Sequence, residues 1–135
     1  VSLANWAVQQ QGIPAGLVFF PDANQTVGRG YDSRLQPWDR FPTNMEWHPM
    51  SYAACGNADC INALVQRVFK YAPKEVQVIP AIAGFWGKAI NNRPSLEAQM
   101  RSIHYIAPQV QGMSNFAFSW QEPELENQRK SCRFK

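Results

Sequence analysis

Residues 59–83 decide the fold, and they read DCINALVQRVFKYAPKEVQVIPAIA. Apolar side chains in the first half are spaced by one, three or four residues, at Ile61, Leu64, Val65, Val68, Phe69 and Ala72. This spacing predicts a helix with one apolar face, capped by Asp59 and ended by Pro73. Residues 76–83 are apolar at nearly every position, which is typical of a strand covered on both faces. A helix that leads directly into such a strand indicates a β/α unit of a parallel sheet.

The same order, a helix followed by a strand, recurs elsewhere in the chain. Ser95 and Pro108 bound a second predicted helix on Leu96, Met100, Ile103 and Ala107, and Pro108 follows Pro73 by 35 residues. Further apolar runs predict strands at 13–20, 45–52 and 113–120. A unit of about 35 residues is one β/α unit of a (β/α)8 barrel, which takes roughly 250 residues in all. We therefore predict a single α/β domain over residues 1–135, with about four parallel strands, that forms half of a TIM barrel.

Two features of the pattern leave room for other structures. Pro49 and Pro80 fall inside predicted strands, where proline removes a donor from the ladder, so strand ends or bulges are expected there. An open doubly wound sheet would also suit 135 residues. However, Gly28 and Gly30 lack the third glycine of a phosphate-binding loop, and we interpret them as turn residues.

Composition excludes several classes of function. Thirteen Lys and Arg against ten Asp and Glu leave a net charge of +3, too small to argue for nucleic acid. No apolar run approaches the roughly 20 residues that span a bilayer. The cysteines Cys55, Cys60 and Cys132 form no recognisable metal set, and no cofactor motif is present. They are either free thiols, or a Cys55–Cys60 disulfide, or a bridge from Cys132 to that loop, in an oxidising compartment.

Candidate functional side chains follow the predicted strands, where parallel β/α folds place their active sites. They comprise carboxylates, aromatic rings and an amide, namely Asp22, Tyr52, Trp86, Trp120, Gln121 and Glu122. Aromatic faces stack on sugar rings, and two carboxylates can supply glycosidic-bond chemistry, so Glu122 and Asp22 are the catalytic candidates. The alternatives are core packing for the two tryptophans, an Asx turn at Asp22 and a helix-start acid at Glu122. His48 lies inside a predicted strand, where it either orients a substrate or a carboxylate or is a core histidine, and His104 is expected at the surface.

Three segments carry a family resemblance: EWHPMSYAACGNADC (46–60), VIPAIAGFWGKAINNRPSLEAQM (78–100) and FAFSWQEPE (116–124). They resemble the last three β/α units of the glycoside hydrolase family 10-like proteins, which are bacterial TIM-barrel glycosyl hydrolases, and the pattern is of the cyanobacterial type. The resemblance covers the chain from about Phe19 onward. It implies the C-terminal half of a barrel, with Asp22, Tyr52, Trp86 and Glu122 after strands five to eight, in a secreted or cell-envelope protein.

The resemblance and the predicted site favour a glycoside hydrolase acting on a polysaccharide or envelope glycan, with Tyr52, His48, Trp86, Trp120 and Gln121 binding substrate. Strands one to four lie outside this chain, and barrel glycosidases commonly carry their acid/base after strand four. Non-catalytic carbohydrate binding or an envelope scaffold role is therefore the alternative, and a purely structural fragment is a third. Open sheet edges predict that the remaining barrel half or a second copy of the chain covers them.

Overall fold

The computed structural model describes residues 1–23, 36–52, 57–84 and 94–116, and helices alternate with strands along them. The elements are α1 (Ser2–Gln9), β1 (Gly16–Phe19), a 3-10 turn (Trp38–Arg40), β2 (Glu46–Pro49), α2 (Ala58–Tyr71), β3 (Ala81–Ile82), α3 (Leu96–Ile106) and β4 (Ser114–Asn115). This order confirms the predicted α/β class.

All the described strand pairings are parallel. β1 pairs with β2 from Gly16 opposite Glu46 to Phe19 opposite Pro49, and β3 pairs with β4. Single parallel bridges, Trp47 to Val78 and Met50 to Ala81, join the two pairs. The four segments therefore lie side by side in sequence order, as predicted, and within the described ranges they do not close into a barrel.

The strands are shorter than the apolar runs that predicted them, and β3 shows why. Hydrogen bonds join β2 to the third segment on both sides of Pro80, from Ile79 N–H to the Trp47 carbonyl (2.8 Å) and from Ser51 N–H to the Ala81 carbonyl (3.0 Å). Pro80 itself has no N–H to donate, so the ladder is interrupted there. Of the predicted strand, only Ala81 and Ile82 form β3.

The helices begin and end close to the predicted residues, with two corrections. Asn57, and not Asp59, caps α2: its side-chain oxygen accepts the Cys60 N–H at 2.9 Å. Asp59 instead lies in the first turn, where the helix dipole favours a carboxylate. In α3, which follows Ser95 as predicted, Ser95 is the cap, but Met100 is 47% exposed and Gln99 occupies the buried position beside it.

The core lies between the helices and one face of the sheet. Phe19 meets the rings of Trp38, Phe41 and Trp47 edge-on at 5.1–5.6 Å. A second cluster joins α2, β3 and α3 through Ile61, Val65, Ile82 and Ile103. Because side chains alternate along a strand, the intervening residues point to the other side. This open face carries Gly16, Val18, Glu46, His48, Ser114 and Phe116, of which Val18 is 60% exposed.

Candidate functional site

The carboxyl ends of the described strands meet at one edge of the sheet, which we call the carboxyl edge. The Phe19 carbonyl accepts the Met50 N–H at 2.8 Å, and the Ile82 carbonyl accepts the Phe116 N–H at 2.9 Å. The residues that follow β1, β2 and β4 are thereby brought to the same side. Asp22 and Tyr52 both follow strand ends at this edge, as predicted.

A pair of stacked aromatic rings lies at this edge. The rings of Tyr52 and Phe116 are nearly parallel, at 7°, with their centroids 5.3 Å apart. Tyr52 is buried against Met50, Ala81 and Ala83, whereas Phe116 is 49% exposed. The stack therefore presents a flat aromatic surface to solvent, on a support of buried side chains.

Sequence reasoning identified Tyr52 as a candidate but missed Phe116. The predicted strand ran to residue 120, which placed Phe116 in the middle of a strand, whereas β4 ends at Asn115. The feature that brings Phe116 to the site is its position directly after β4, two residues beyond Ser114 and on the same face of the sheet. That position depends on pairing with β3, which the sequence pattern does not specify to one residue.

Asp22 lies in the turn that follows β1. The turn is closed by the Ala23 N–H, which donates to the Phe20 carbonyl at 3.2 Å, and the Phe20 N–H donates to Gln36 Oε1 at 2.8 Å. Asp22 is half-buried. Trp86, Trp120, Gln121 and Glu122 fall outside the described residues. The prediction that all the candidates share one edge therefore stands on Asp22 and Tyr52.

His48 lies within β2, on the open face, and both of its ring nitrogens have partners. Nε2 lies 3.0 Å from Glu46 Oε2, and Nδ1 lies 3.2 Å from Ser114 Oγ. The ring packs against the Gly16 backbone so closely that a Cβ there would lie 2.9 Å from Nε2. His48 thus contacts a carboxylate and a hydroxyl group. The sequence pattern did not reveal Glu46 or Ser114 as its partners, since Ser114 comes from a distant strand.

Gln99 positions the connection between β3 and α3, which contains Trp86. Its side chain is 1% exposed, and Nε2 donates to the carbonyls of Ala83 (2.8 Å) and Pro94 (2.7 Å). These two carbonyls belong to opposite ends of the connection, so one amide holds both. In the sequence, the position of Gln99 indicates burial, because it lies three residues after Leu96 and four before Ile103. Leu96 and Ile103 both belong to the core cluster.

Other features of the described chain are a disulfide, the absence of a metal-ligand cluster and a second cleft. Cys60 is in a disulfide, whose partner is Cys55 or Cys132, both outside the described residues. Within residues 1–23, 36–52, 57–84 and 94–116, no group of three or more His, Cys, Asp or Glu could hold a metal ion. A cleft of about 430 Å³ lies at the opposite, amino-terminal edge of the sheet, beside Lys74, Gln77 and Gln111. Of the helices described, none is long and apolar enough to cross a bilayer.

Comparison with known proteins adds no assignment. The chain matches no protein-family model, and no curated protein or solved structure matches it significantly.

Proposed function

We propose that the carboxyl edge binds a glycan, and that the chain is the C-terminal half of the (β/α)8 barrel of a glycoside hydrolase acting on a polysaccharide or envelope glycan. The observation that carries this proposal is the Tyr52–Phe116 stack, with half of the Phe116 side chain in water. A sugar ring has an apolar face of C–H groups, which an exposed flat ring can cover. Functional residues of parallel β/α folds lie at this end of the strands.

Hydrogen-bonding groups beside the stack would supply specificity. The Asp22 carboxylate follows β1 at the same edge and can accept hydrogen bonds from sugar hydroxyl groups. Tyr52 contributes a phenolic hydroxyl group as well as its ring. His48 lies further down β2, where it would order the open face beneath a bound sugar.

Hydrolysis of a glycosidic bond needs two carboxyl groups. One protonates the leaving oxygen, and the other attacks the sugar or activates a water molecule. Asp22 and Glu122 are the proposed pair, and Trp86, Trp120 and Gln121 are proposed to line the remainder of the subsite. The disulfide at Cys60 supports a secreted or cell-envelope location, because such bonds persist in oxidising compartments.

Non-catalytic glycan binding is the second candidate function. The described chain contains the aromatic stack and Asp22, which are the groups proposed to bind the glycan. Catalysis needs the second carboxylate, for which Glu122 is proposed. Glycan binding and glycosidic-bond hydrolysis therefore depend on different residues, and one experiment can distinguish them.

The experiment measures both affinity and hydrolysis over a panel of soluble polysaccharides. Phe116→Ala should weaken binding about tenfold, because an aromatic contact contributes roughly 0.5–1.5 kcal/mol beyond area burial. Tyr105→Ala is the matched control, since Tyr105 is an 88% exposed ring on α3. Glu122→Gln should abolish hydrolysis and leave binding in place, whereas Asp22→Asn should abolish hydrolysis and also weaken binding.

Each outcome has a defined meaning. Binding without hydrolysis by the unmodified chain would favour the non-catalytic function. Hydrolysis that survives both carboxylate substitutions would refute the proposed acid pair. If Phe116→Ala and Tyr105→Ala bind alike, or nothing on the panel binds, the glycan proposal is wrong.

A further inference from the structure

Three side chains on the open face form a continuous hydrogen-bonded chain that the proposed glycan site does not use for chemistry. His48 bridges Glu46 Oε2, at 3.0 Å from Nε2, and Ser114 Oγ, at 3.2 Å from Nδ1. A carboxylate only accepts, so Nε2 must carry the proton, and neutral Nδ1 then accepts from the serine hydroxyl. This assigned tautomer is the one that a general base for a serine requires.

The local fold holds this trio from several sides. Glu46 and His48 are two residues apart on β2, so their side chains lie on one face of the sheet. The Ser114 N–H donates to the Pro80 carbonyl at 3.0 Å, which fixes the hydroxyl two strands away from β2. Gly16, opposite Glu46 on β1, provides the space that the imidazole occupies.

The trio is open to small molecules. The side chains of His48 and Glu46 are 18% and 35% exposed, and Ser114 is half-buried. Val18, which pairs with His48 on β1, is also largely exposed. A reactant can therefore reach the serine from the open face.

We propose that Ser114 is a nucleophile for acyl transfer from small carboxylic esters, with His48 as its general base and Glu46 as a positioning residue. Ser114 Oγ attacks the ester carbonyl carbon while its proton passes to His48 Nδ1. The tetrahedral intermediate expels the alcohol, which takes that proton, and leaves an acyl group on Ser114. Water, deprotonated by His48, then releases the carboxylic acid and restores the serine.

The neighbouring aromatic stack indicates the class of ester. Phe116 lies two residues beyond Ser114 on the same face, about 6–7 Å along the strand. An ester with an apolar or ring-shaped alcohol would place its alcohol part on the Tyr52–Phe116 stack and its carbonyl near Ser114. This inference does not depend on glycosidic-bond hydrolysis by the same chain.

The primary experiment labels the 135-residue chain with a fluorophosphonate, which phosphonylates an activated serine with loss of fluoride. Peptide mapping by mass spectrometry should find the adduct on Ser114 in the folded chain and not in the unfolded chain. Absence of label at Ser114 in the folded, unmodified chain would overturn the proposal. This result needs no variant, so a substitution that fails to fold cannot obscure it.

Variants then test the roles of the other residues. His48→Gln should slow labelling of Ser114 about 100-fold, the usual contribution of a general base. Gly16→Ala removes no group of the trio but places a Cβ 2.9 Å from Nε2, and misplaced groups lose up to about 100-fold in rate. The matched control is Gly112→Ala, because a Cβ at Gly112 meets nothing within 4 Å.

Turnover of p-nitrophenyl acetate gives the second readout. Gly16→Ala and Glu46→Gln should lower kcat with little change in KM, while Gly112→Ala should behave like the unmodified chain. A purely structural role for the trio predicts lower stability without this division between kcat and KM. Labelling of Ser114 at the unmodified rate in folded His48→Gln would refute the base assignment.

Discussion

Replacing Gln99 by Leu tests how the connection between β3 and α3 is held. The substitution removes both hydrogen bonds of Nε2 and leaves the carbonyls of Ala83 and Pro94 without this donor. Each bond contributes about 0.5–1.5 kcal/mol net, and a buried acceptor left unsatisfied costs about 1–3 kcal/mol. Gln99 Oε1 is buried with no hydrogen-bond partner in the described chain, so its removal offsets part of that loss. We expect the free energy of unfolding to fall by about 2 kcal/mol.

The assay is equilibrium denaturation followed by circular dichroism, with Gln66→Leu as the control. Gln66 is an exposed residue of α2, so its replacement should change the free energy of unfolding by less than about 0.5 kcal/mol. Gln99→Glu should destabilise more than Gln99→Leu at neutral pH, because a carboxylate would face two carbonyl oxygens. Equal stability of Gln99→Leu and Gln66→Leu would refute the argument that one amide holds both ends of the connection.

Three further predictions concern the core, α3 and the disulfide. Trp47→Phe should lower the free energy of unfolding, measured by denaturant, by about 2 kcal/mol more than Trp38→Phe does. The reason is that Trp47 Nε1 donates to the Pro42 carbonyl at 3.0 Å, whereas buried Trp38 Nε1 has no partner within the described residues. Equal losses for the two variants would contradict this. Hydrogen bonds from its own backbone N–H and from the Ser95 hydroxyl lower the pKa of Glu97 below its ordinary value of 4.5. The ionised form therefore stabilises the fold above the pKa of the unfolded chain, and thermal melts of Glu97→Gln should show a deficit near neutral pH that disappears as acid protonates the carboxylate; a deficit that persists in acid would refute the assignment. Reduction of the disulfide at Cys60 should lower the free energy of unfolding by about 2 kcal/mol if the partner is Cys55 and by about 4 kcal/mol if it is Cys132. The difference arises because a cross-link that closes a longer loop removes more entropy from the unfolded chain. Peptide mapping identifies the partner, and no loss of stability on reduction would contradict the expectation.

Local sequence signals predicted most of the helical structure. Apolar spacing and Pro73 predicted α2 to within two residues at its start and one at its end, and α3 starts directly after Ser95, as predicted. The errors arose where tertiary contacts decide between neighbours. Gln99 is buried in place of Met100 because its amide donates hydrogen bonds to two backbone carbonyls. The periodicity of apolar residues does not predict such hydrogen bonds.

The parallel sheet and the carboxyl edge were also predictable, because alternating helices and strands permit few topologies. The predicted topology therefore placed Tyr52 correctly at the carboxyl edge. The partners within the site were not predictable, since they depend on register between strands. Ser114 contacts His48 across 66 residues of sequence, and Phe116 contacts Tyr52 through the register of β4 against β3.

The central claim is that the carboxyl edge of the sheet is the glycan-binding surface. The most direct test is an NMR titration of the isotopically labelled chain with oligosaccharides prepared from the polysaccharide panel. The account predicts shifts at Tyr52 and Phe116, and none at Gln77 and Gln111 beside the cleft at the amino-terminal edge. Shifts confined to Gln77 and Gln111, or no shifts with any oligosaccharide, would contradict it.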